Sequence, residues 1–316
     1  MTGRPWIALR GDGWEVGRVG GSSLKFDLGE QPLDTRRDQV VSARSLGDAG
    51  SRLIVRALPS GQELFTYDSA DGVTSAVFAG NGVFFTGVRV DEADPGVRRL
   101  DLTTGIVTMA IAPAAWPESW GGNGVRFRLQ VSASGATISS ASCGPLMTMD
   151  KICRVEVMNV TEGRSFVALD VLDGFVAAVT DRQLITLSHP RDVMTVYDLT
   201  GAQLWRLDDR YFDDQYATAD FRTLIAGVLP LGGTRKGISR QLLAIDLDTG
   251  SSRVLFERPI EELVTLWPEL SDDHEAVVGN GPALREAFGD TNRRTGLRVD
   301  IESGRVADAL VEVVLP

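Results

Sequence analysis

Short runs in which apolar and polar residues alternate fill this chain, and they come in pairs around a polar turn that ends in glycine. LIVRAL, VRRLDL, CRVEVM, MTVYDL, LLAIDL and LRVDI lead into such turns, and ELFTY, IVTMAI, RSFVAL, QLWRL and RVLF follow them. Alternation with period two marks a half-buried strand. The turn glycines are Gly61, Gly105, Gly163, Gly201, Gly250 and Gly304, at intervals of 44, 58, 38, 49 and 54 residues. Thr or Ser in the turn can bond the local backbone, while Gly takes the positive φ that closes a hairpin. The pattern predicts a recurring β-hairpin.

Each interval holds two further strand patterns, such as TSAVFAG and VFFTGVRV before Gly105, or FVAAVT and QLITLSH before Gly201. Four strands per repeat at this period predict an all-β protein, a β-propeller built from four-stranded blades. A β-sandwich would not carry one hairpin phrase at a recurring spacing. No 3.6-residue pattern extends over ten residues, which excludes the α/β folds. Six turn glycines give six blades. WIALR, WEVGRV and LKFDL supply three strands of a seventh, and VEVVL near the C-terminus is its expected fourth. Pairing the two ends would remove the open sheet edges. The expectation is seven blades in one domain over residues 1–316, with six blades and an N-terminal extension as the alternative.

The turn Ala244-Ile245-Asp246-Leu247-Asp248-Thr249-Gly250 and its echo at Leu100–Gly105 resemble the PQQ-like and YncE-like branch of the propellers. Tyr197-Asp198-Leu199-Thr200-Gly201, followed by Trp205, is similar but one residue shorter. The resemblance covers nearly the whole chain and implies a fold superfamily, not a function. PQQ enzymes carry a vicinal disulfide and a metal-assisted quinone site. The two cysteines here stand ten residues apart, so the quinone is not carried over.

Composition narrows the class. Hydrophobic residues make up 43% and charged residues 24% of the chain, enough for a sizeable core. No run approaches the ~20 apolar residues of a membrane-spanning helix. A net charge of −11 argues against nucleic acid or an anionic membrane as partner. The N-terminus shows no secretion signal. Cys143 and Cys153 flank GPLMTMDKI between two strand patterns, so a hairpin would bring them face to face. A disulfide there predicts an extracytoplasmic protein whose export segment is missing from this sequence; two free thiols would predict a cytoplasmic one.

Catalytic motifs are scarce. His189 and His274 are the only histidines, a poor start for a zinc site or a His-based triad. There is no G-x-S-x-G elbow, P-loop or EF-hand pattern. SADGVT at 69–74 falls one residue short of a sialidase Asp-box. Asp208, Asp209, Asp213 and Asp214 are the one local metal candidate, since four carboxylates could supply oxygens to calcium. Their other reading is a charged loop between blades. No cofactor is expected, with calcium as the alternative.

In a blade, the first-to-second and third-to-fourth strand turns share one end, and the remaining connections share the other. The second set is long: 112–124, 144–152, 206–215, 231–240 and 280–296. Long connections often carry function. They offer Trp116 and Trp120, Arg235 and Lys236, and Arg285, Phe288, Arg293 and Arg294, residue types suited to recognition. The expected function is a non-catalytic module binding a protein or peptide through this face. The alternative is a channel-centred propeller enzyme, such as a lyase, lactonase or glycan-processing hydrolase, with calcium as an optional aid.

Overall fold

In the computed structural model, the residues described are 5–10, 13–18, 23–88, 94–113, 125–143, 152–188, 191–208, 210–217, 222–230, 239–259, 267–270, 275–279 and 293–314. They form two compact units, Met1–Arg182 and Gln183–Leu315. The only helical element among them is a 3-10 turn, Gly47–Ala49. None of them belongs to a helix long and apolar enough to cross a membrane.

Among the described residues the strands form seven antiparallel sheets, six with four strands in chain order and the first with three. The first sheet holds β1 (Pro5–Arg10), β2 (Gly13–Arg18) and β3 (Ser23–Asp27). The second holds β4 (Glu30–Arg36), β5 (Gln39–Ser45), β6 (Ser51–Ala57) and β7 (Glu63–Ser69). The third holds β8 (Gly72–Ala79), β9 (Gly82–Val88), β10 (Val97–Asp101) and β11 (Val107–Ile111). The fourth holds β12 (Val125–Val131), β13 (Thr137–Cys143), β14 (Ile152–Asn159) and β15 (Arg164–Asp173). The fifth holds β16 (Phe175–Val179), β17 (Gln183–Leu187), β18 (Met194–Asp198) and β19 (Gln203–Leu207). The sixth holds β20 (Arg210–Ala217), β21 (Thr223–Pro230), β22 (Ser239–Asp246) and β23 (Ser252–Pro259). The seventh holds β24 (Trp267–Leu270), β25 (Glu275–Gly279), β26 (Arg293–Asp300) and β27 (Val306–Val314). The recurring hairpin is the third and fourth strand of each complete sheet.

The turn sequence closes these hairpins as its chemistry predicts. All six turn glycines have φ between +65° and +91°. In the Asp-x-x-Thr-Gly form, Asp246 Oδ1 accepts the N–H groups of Asp248 and Thr249 at 3.0 and 2.8 Å and the Thr249 hydroxyl at 2.8 Å. Gly250 N–H donates to the Asp246 carbonyl at 2.8 Å. Asp101 and Asp300 repeat the arrangement with Thr104 and Ser303. In the shorter turn, Gly201 donates to the Asp198 carbonyl at 3.1 Å, three residues back instead of four.

Several of the turns also pack on the preceding sheet. A Cβ on Gly105 would contact the Phe65 ring of β7, and one on Gly250 would strike the Trp205 ring of β19 at 2.8 Å. Gly61 meets Leu24 of β3 in the same way. That equivalence puts β3 in the fourth-strand place, so what the first sheet lacks among the described residues is its first strand. The expected closure by VEVVL is corrected here. Val311–Val314 stay on β26, pairing with Gly296, Thr295, Arg294 and Arg293. The chain passes through an irregularity between Gly296 and Arg298 without leaving its sheet.

Within the first unit, a side chain of one first strand satisfies the edge N–H of the next. Asp34 Oδ2 of β4 accepts from Phe78 N of β8 at 2.7 Å, and Ser75 Oγ of β8 accepts from Leu129 N of β12 at 3.0 Å. Unpaired edge donors are thereby covered, as buried backbone requires. Asp34 sits at a register shift between Pro32 and Asp34, and burial raises its carboxyl to about 6 despite two backbone N–H donors.

Candidate functional site

The interfaces between the second, third and fourth sheets are layered. Toward the end where the glycine turns lie, they are apolar: Val55, Phe78, Val83 and Leu100 in one, and Val77, Ala79, Phe84, Leu129, Ile138 and Met158 in the other. Toward the opposite end, where the longer connections leave, polar residues are buried beside apolar ones such as Val97, Ile111, Val155 and Leu172. Ser69, Asp71 and Arg98 lie between the second and third sheets. Thr86, Asp94, Ser140 and Ser142 occupy the third and fourth. Burying polar groups is costly unless they are bonded, and a bonded network rigidifies what it joins.

These bonds are in place. Arg98 Nη2 pairs with Asp71 Oδ2 at 2.8 Å, and Nη1 donates to Ser69 Oγ at 3.2 Å. The Thr86 hydroxyl donates to the Gly96 carbonyl at 2.7 Å. Asp94 Oδ1 accepts Gly96 N–H at 2.9 Å, and its Oδ2 accepts the Ser142 hydroxyl at 3.2 Å. Asp94 thus ties the β9–β10 connection to the end of β13. Asp71 is the carboxylate of the SADGVT stretch, so this segment supplies an ion pair, not an Asp-box.

The Arg98 guanidinium lines a shallow cleft with Ser69, Asp71, Val73, Phe85, Thr86, Pro95 and Gly96. About 180 Å³ of space, counted with open solvent, lies in it, below the few hundred Å³ of a drug-sized pocket. Arg98 retains part of its exposure, at 24% of the side chain, and its planar fork suits a carboxylate.

One residue on, Cys143 faces Cys153 across β13 and β14 and the two form a disulfide, S–S 2.04 Å. The sequence-based expectation holds here. The bridge stands at the root of the 144–151 connection.

The other expected site residues fare differently. Trp116, Trp120, Arg235, Lys236, Arg285 and Phe288 lie outside the described residues, as do Asp209, His189 and His274. Arg293 and Arg294 belong to β26, not to a loop. The 206–215 loop is also corrected: Arg210–Ala217 is strand β20, with Phe212 fully buried, so Asp213 and Asp214 are strand positions. The aromatics Tyr211, Phe212 and Tyr216 carried what strand signal there was, interrupted by Asp213 and Asp214 at a register irregularity. Asp208 is exposed and pairs with Arg206 at 3.5 Å. No group of three or more His, Cys, Asp or Glu among the described residues is arranged to hold a metal ion.

Sequence reasoning missed Asp71, Asp94 and Arg98. ADGV and DPGVRR mark two of these segments as Gly-containing turns, but nothing local shows that they meet.

No family profile and no curated protein matches the sequence. Solved structures do. An oligogalacturonate lyase in complex with manganese is similar over 97% of this chain and 84% of its own, at 13% identity and a TM-score of 0.60. A 6-phosphogluconolactonase-like protein of Bacteroides uniformis matches over 98% and 96%, at 12% identity and a TM-score of 0.59. An oligogalacturonate lyase of Vibrio parahaemolyticus matches over 96% and 83%, at 9% identity and 0.59. The expectation of a non-catalytic binding module is corrected by these neighbours, which carry the names of enzymes. At such identities the likeness establishes the fold. The chain is an all-β propeller.

Proposed function

We propose that the protein is a propeller enzyme acting on an acidic carbohydrate, a lyase or lactonase, at the end of the blades where the longer connections leave. The observation that carries this reading is the near full-length likeness to an oligogalacturonate lyase and to a 6-phosphogluconolactonase-like protein. Both names denote anionic sugar derivatives. The Asp71–Arg98 pair supports the location, because an arginine held by a carboxylate and a hydroxyl presents its remaining donors in a fixed direction. In this reading Arg98 receives the substrate carboxylate, and Asp71 is a positioning residue that keeps the fork aimed. A resident cofactor is not assigned; calcium held by carboxylates is the variant to be checked.

The disulfide supports an extracytoplasmic location, since such bonds persist in oxidising compartments. The Asp-x-x-Thr-Gly turns support a place in the PQQ-like or YncE-like branch. The test is direct. Full-length protein is incubated with oligogalacturonate and, separately, with a six-membered sugar lactone, with added calcium or with chelator. Ultraviolet absorbance of an unsaturated product, or release of acid from the lactone, is the expected result. Folded protein that turns over neither substrate under either condition overturns the reading.

A further inference from the structure

The last strand of each sheet leaves one edge open, and charged side chains are a common guard on such edges. Six of the seven last strands among the described residues carry that guard: Lys25 in β3, Glu63 in β7, Asp170 in β15, Arg206 in β19, Glu257 in β23 and Glu312 in β27. Strand β11 does not. Val107–Ile111 reads VTMAI, and no charged residue stands between Asp101 and Glu118. β10 pairs with one side of β11, and no strand lies on its other side among the described residues. Val107 and Ala110 pack against the apolar clusters on either face of the sheet. Ile106 is 59% and Met109 49% exposed, and Thr108 is exposed between them.

We propose that the open edge of β11 pairs with the β11 edge of a second copy of this chain, in an antiparallel two-fold dimer. Charge selects this occupant. Two copies carrying −11 each repel one another as wholes. A charged last strand paired with itself near a two-fold axis would also set like charges face to face. On β11 only uncharged side chains meet, whichever residue lies on the axis. A charged peptide, in turn, would find no opposite charge on this strand.

Backbone chemistry fits the same occupant. Antiparallel edges are self-complementary, since each strand offers the other the same spacing of N–H and C=O groups. The pairing uses up the one open edge of each third sheet, so it closes at two copies. Ile106 and Met109 gain apolar cover from the added strand. The paired stretch is short. A register irregularity between Val97 and Arg98 leaves Ala110 as an extra residue, and Pro113 follows the strand. Such a contact falls below the ~1,200 Å² at the low end of stable interfaces. The dimer is therefore weak and forms at high concentration.

Sedimentation equilibrium of the full chain, from about 5 µM to about 0.5 mM, tests this without any substrate. The expected result is a monomer–dimer equilibrium that tightens as salt rises from about 0.02 to about 0.2 M, because screening relieves the mutual repulsion. Thr108→Glu should weaken association by roughly tenfold or more. Gln203→Glu, at the exposed start of β19, makes the same charge change and should leave association as it is. Both variants should melt as the wild type does. Hydrogen exchange at 106–110 should slow as the wild-type concentration rises. A dimer that Thr108→Glu leaves intact overturns the proposal. So does a chain that is monomeric at every loading, including one whose β11 edge takes up an added Thr-Val repeat peptide instead.

Discussion

The indole N–H of Trp205 donates to the Leu247 carbonyl at 2.8 Å, and the same carbonyl accepts Gln183 Nε2 at 2.9 Å. Two side chains of the fifth sheet thus anchor the turn of the sixth, with the Trp205 ring lying against Gly250. The hairpin phrase is therefore more than a turn signal. At Gly250, as at Gly61 and Gly105, the glycine is a point at which one blade rests on the last.

This contact makes two chemically identical substitutions unequal. Gly163→Ala places a Cβ in open space at φ +65°, so it should cost only the left-handed backbone strain, about 1–2 kcal/mol. Gly250→Ala adds a Cβ 2.8 Å from Trp205 Cδ2 and should cost more, by about 1–3 kcal/mol. Denaturant unfolding of the two variants checks the order. Equal losses would mean that the ring yields freely.

A second comparison concerns ion pairs in the second sheet. Glu30 is buried and accepts Ser42 Oγ and Arg44 Nη2, each at 2.6 Å, as well as Arg56 Nη1. Arg56 in turn reaches Glu63 at 2.7 Å and lies over the Phe26 ring at 5.7 Å. Glu30→Gln leaves the buried Arg56 charge short of its partner and should cost about 3–5 kcal/mol. Asp68→Asn breaks the exposed pair with Arg52, whose charges solvent screens, and should cost far less. Melting both variants at one pH measures the difference.

Stability should pass through a maximum in mildly acidic solution. Asp34 has a folded-state value of about 6, raised from 3.8 mainly by burial. A raised value means that its stabilising contribution is full below the unfolded value and is lost as pH rises through the folded one. The loss from roughly pH 4 to pH 6 is on the order of 3 kcal/mol. The turn carboxylates have the opposite sign. Hydrogen bonds from Thr249 to Asp246, from Thr200 to Asp198, from Ser303 to Asp300 and from Thr103 and Thr104 to Asp101 hold these four below the usual value. Their contribution is present above that value and is lost as pH falls through the lowered ones. Asp34→Asn should raise the melting temperature at pH 7, where Asn Oδ1 can still accept from Phe78, and leave it unchanged near pH 3. A variant equally stabilised at both pH values would contradict the assignment.

The blade pattern was legible because it is local. Period-two alternation and a glycine of positive φ are properties of ten consecutive residues, and Asp246, Thr249 and Gly250 meet within one turn. The cysteine bridge was legible for the same reason, since a hairpin register pairs residues 143 and 153 directly. The polar cluster was not. Asp71 and Asp94 lie in connections, and only packing brings Asp71 to Arg98 and Asp94 to Ser142. Strand β20 was hidden by composition: Asp208 and Asp209 before it and Asp213 and Asp214 within it read as a charged loop, and a register irregularity after Phe212 breaks the period of two. The C-terminal strand misled because its pattern fits either of two edges, and alternation alone does not choose a partner.

The proposed function assigns chemistry to the connection end of the blades and support to the turn end. The most direct measurement is turnover of oligogalacturonate and sugar lactone by wild type, Arg98→Leu and Asp246→Ala, with melting curves for each. The account predicts that Arg98→Leu lowers kcat/KM by tenfold or more, about 1.4 kcal/mol or more, while remaining folded. Asp246→Ala should lower the melting temperature and leave kcat/KM unchanged below it. Full activity in Arg98→Leu, or selective loss of activity in Asp246→Ala, would contradict it.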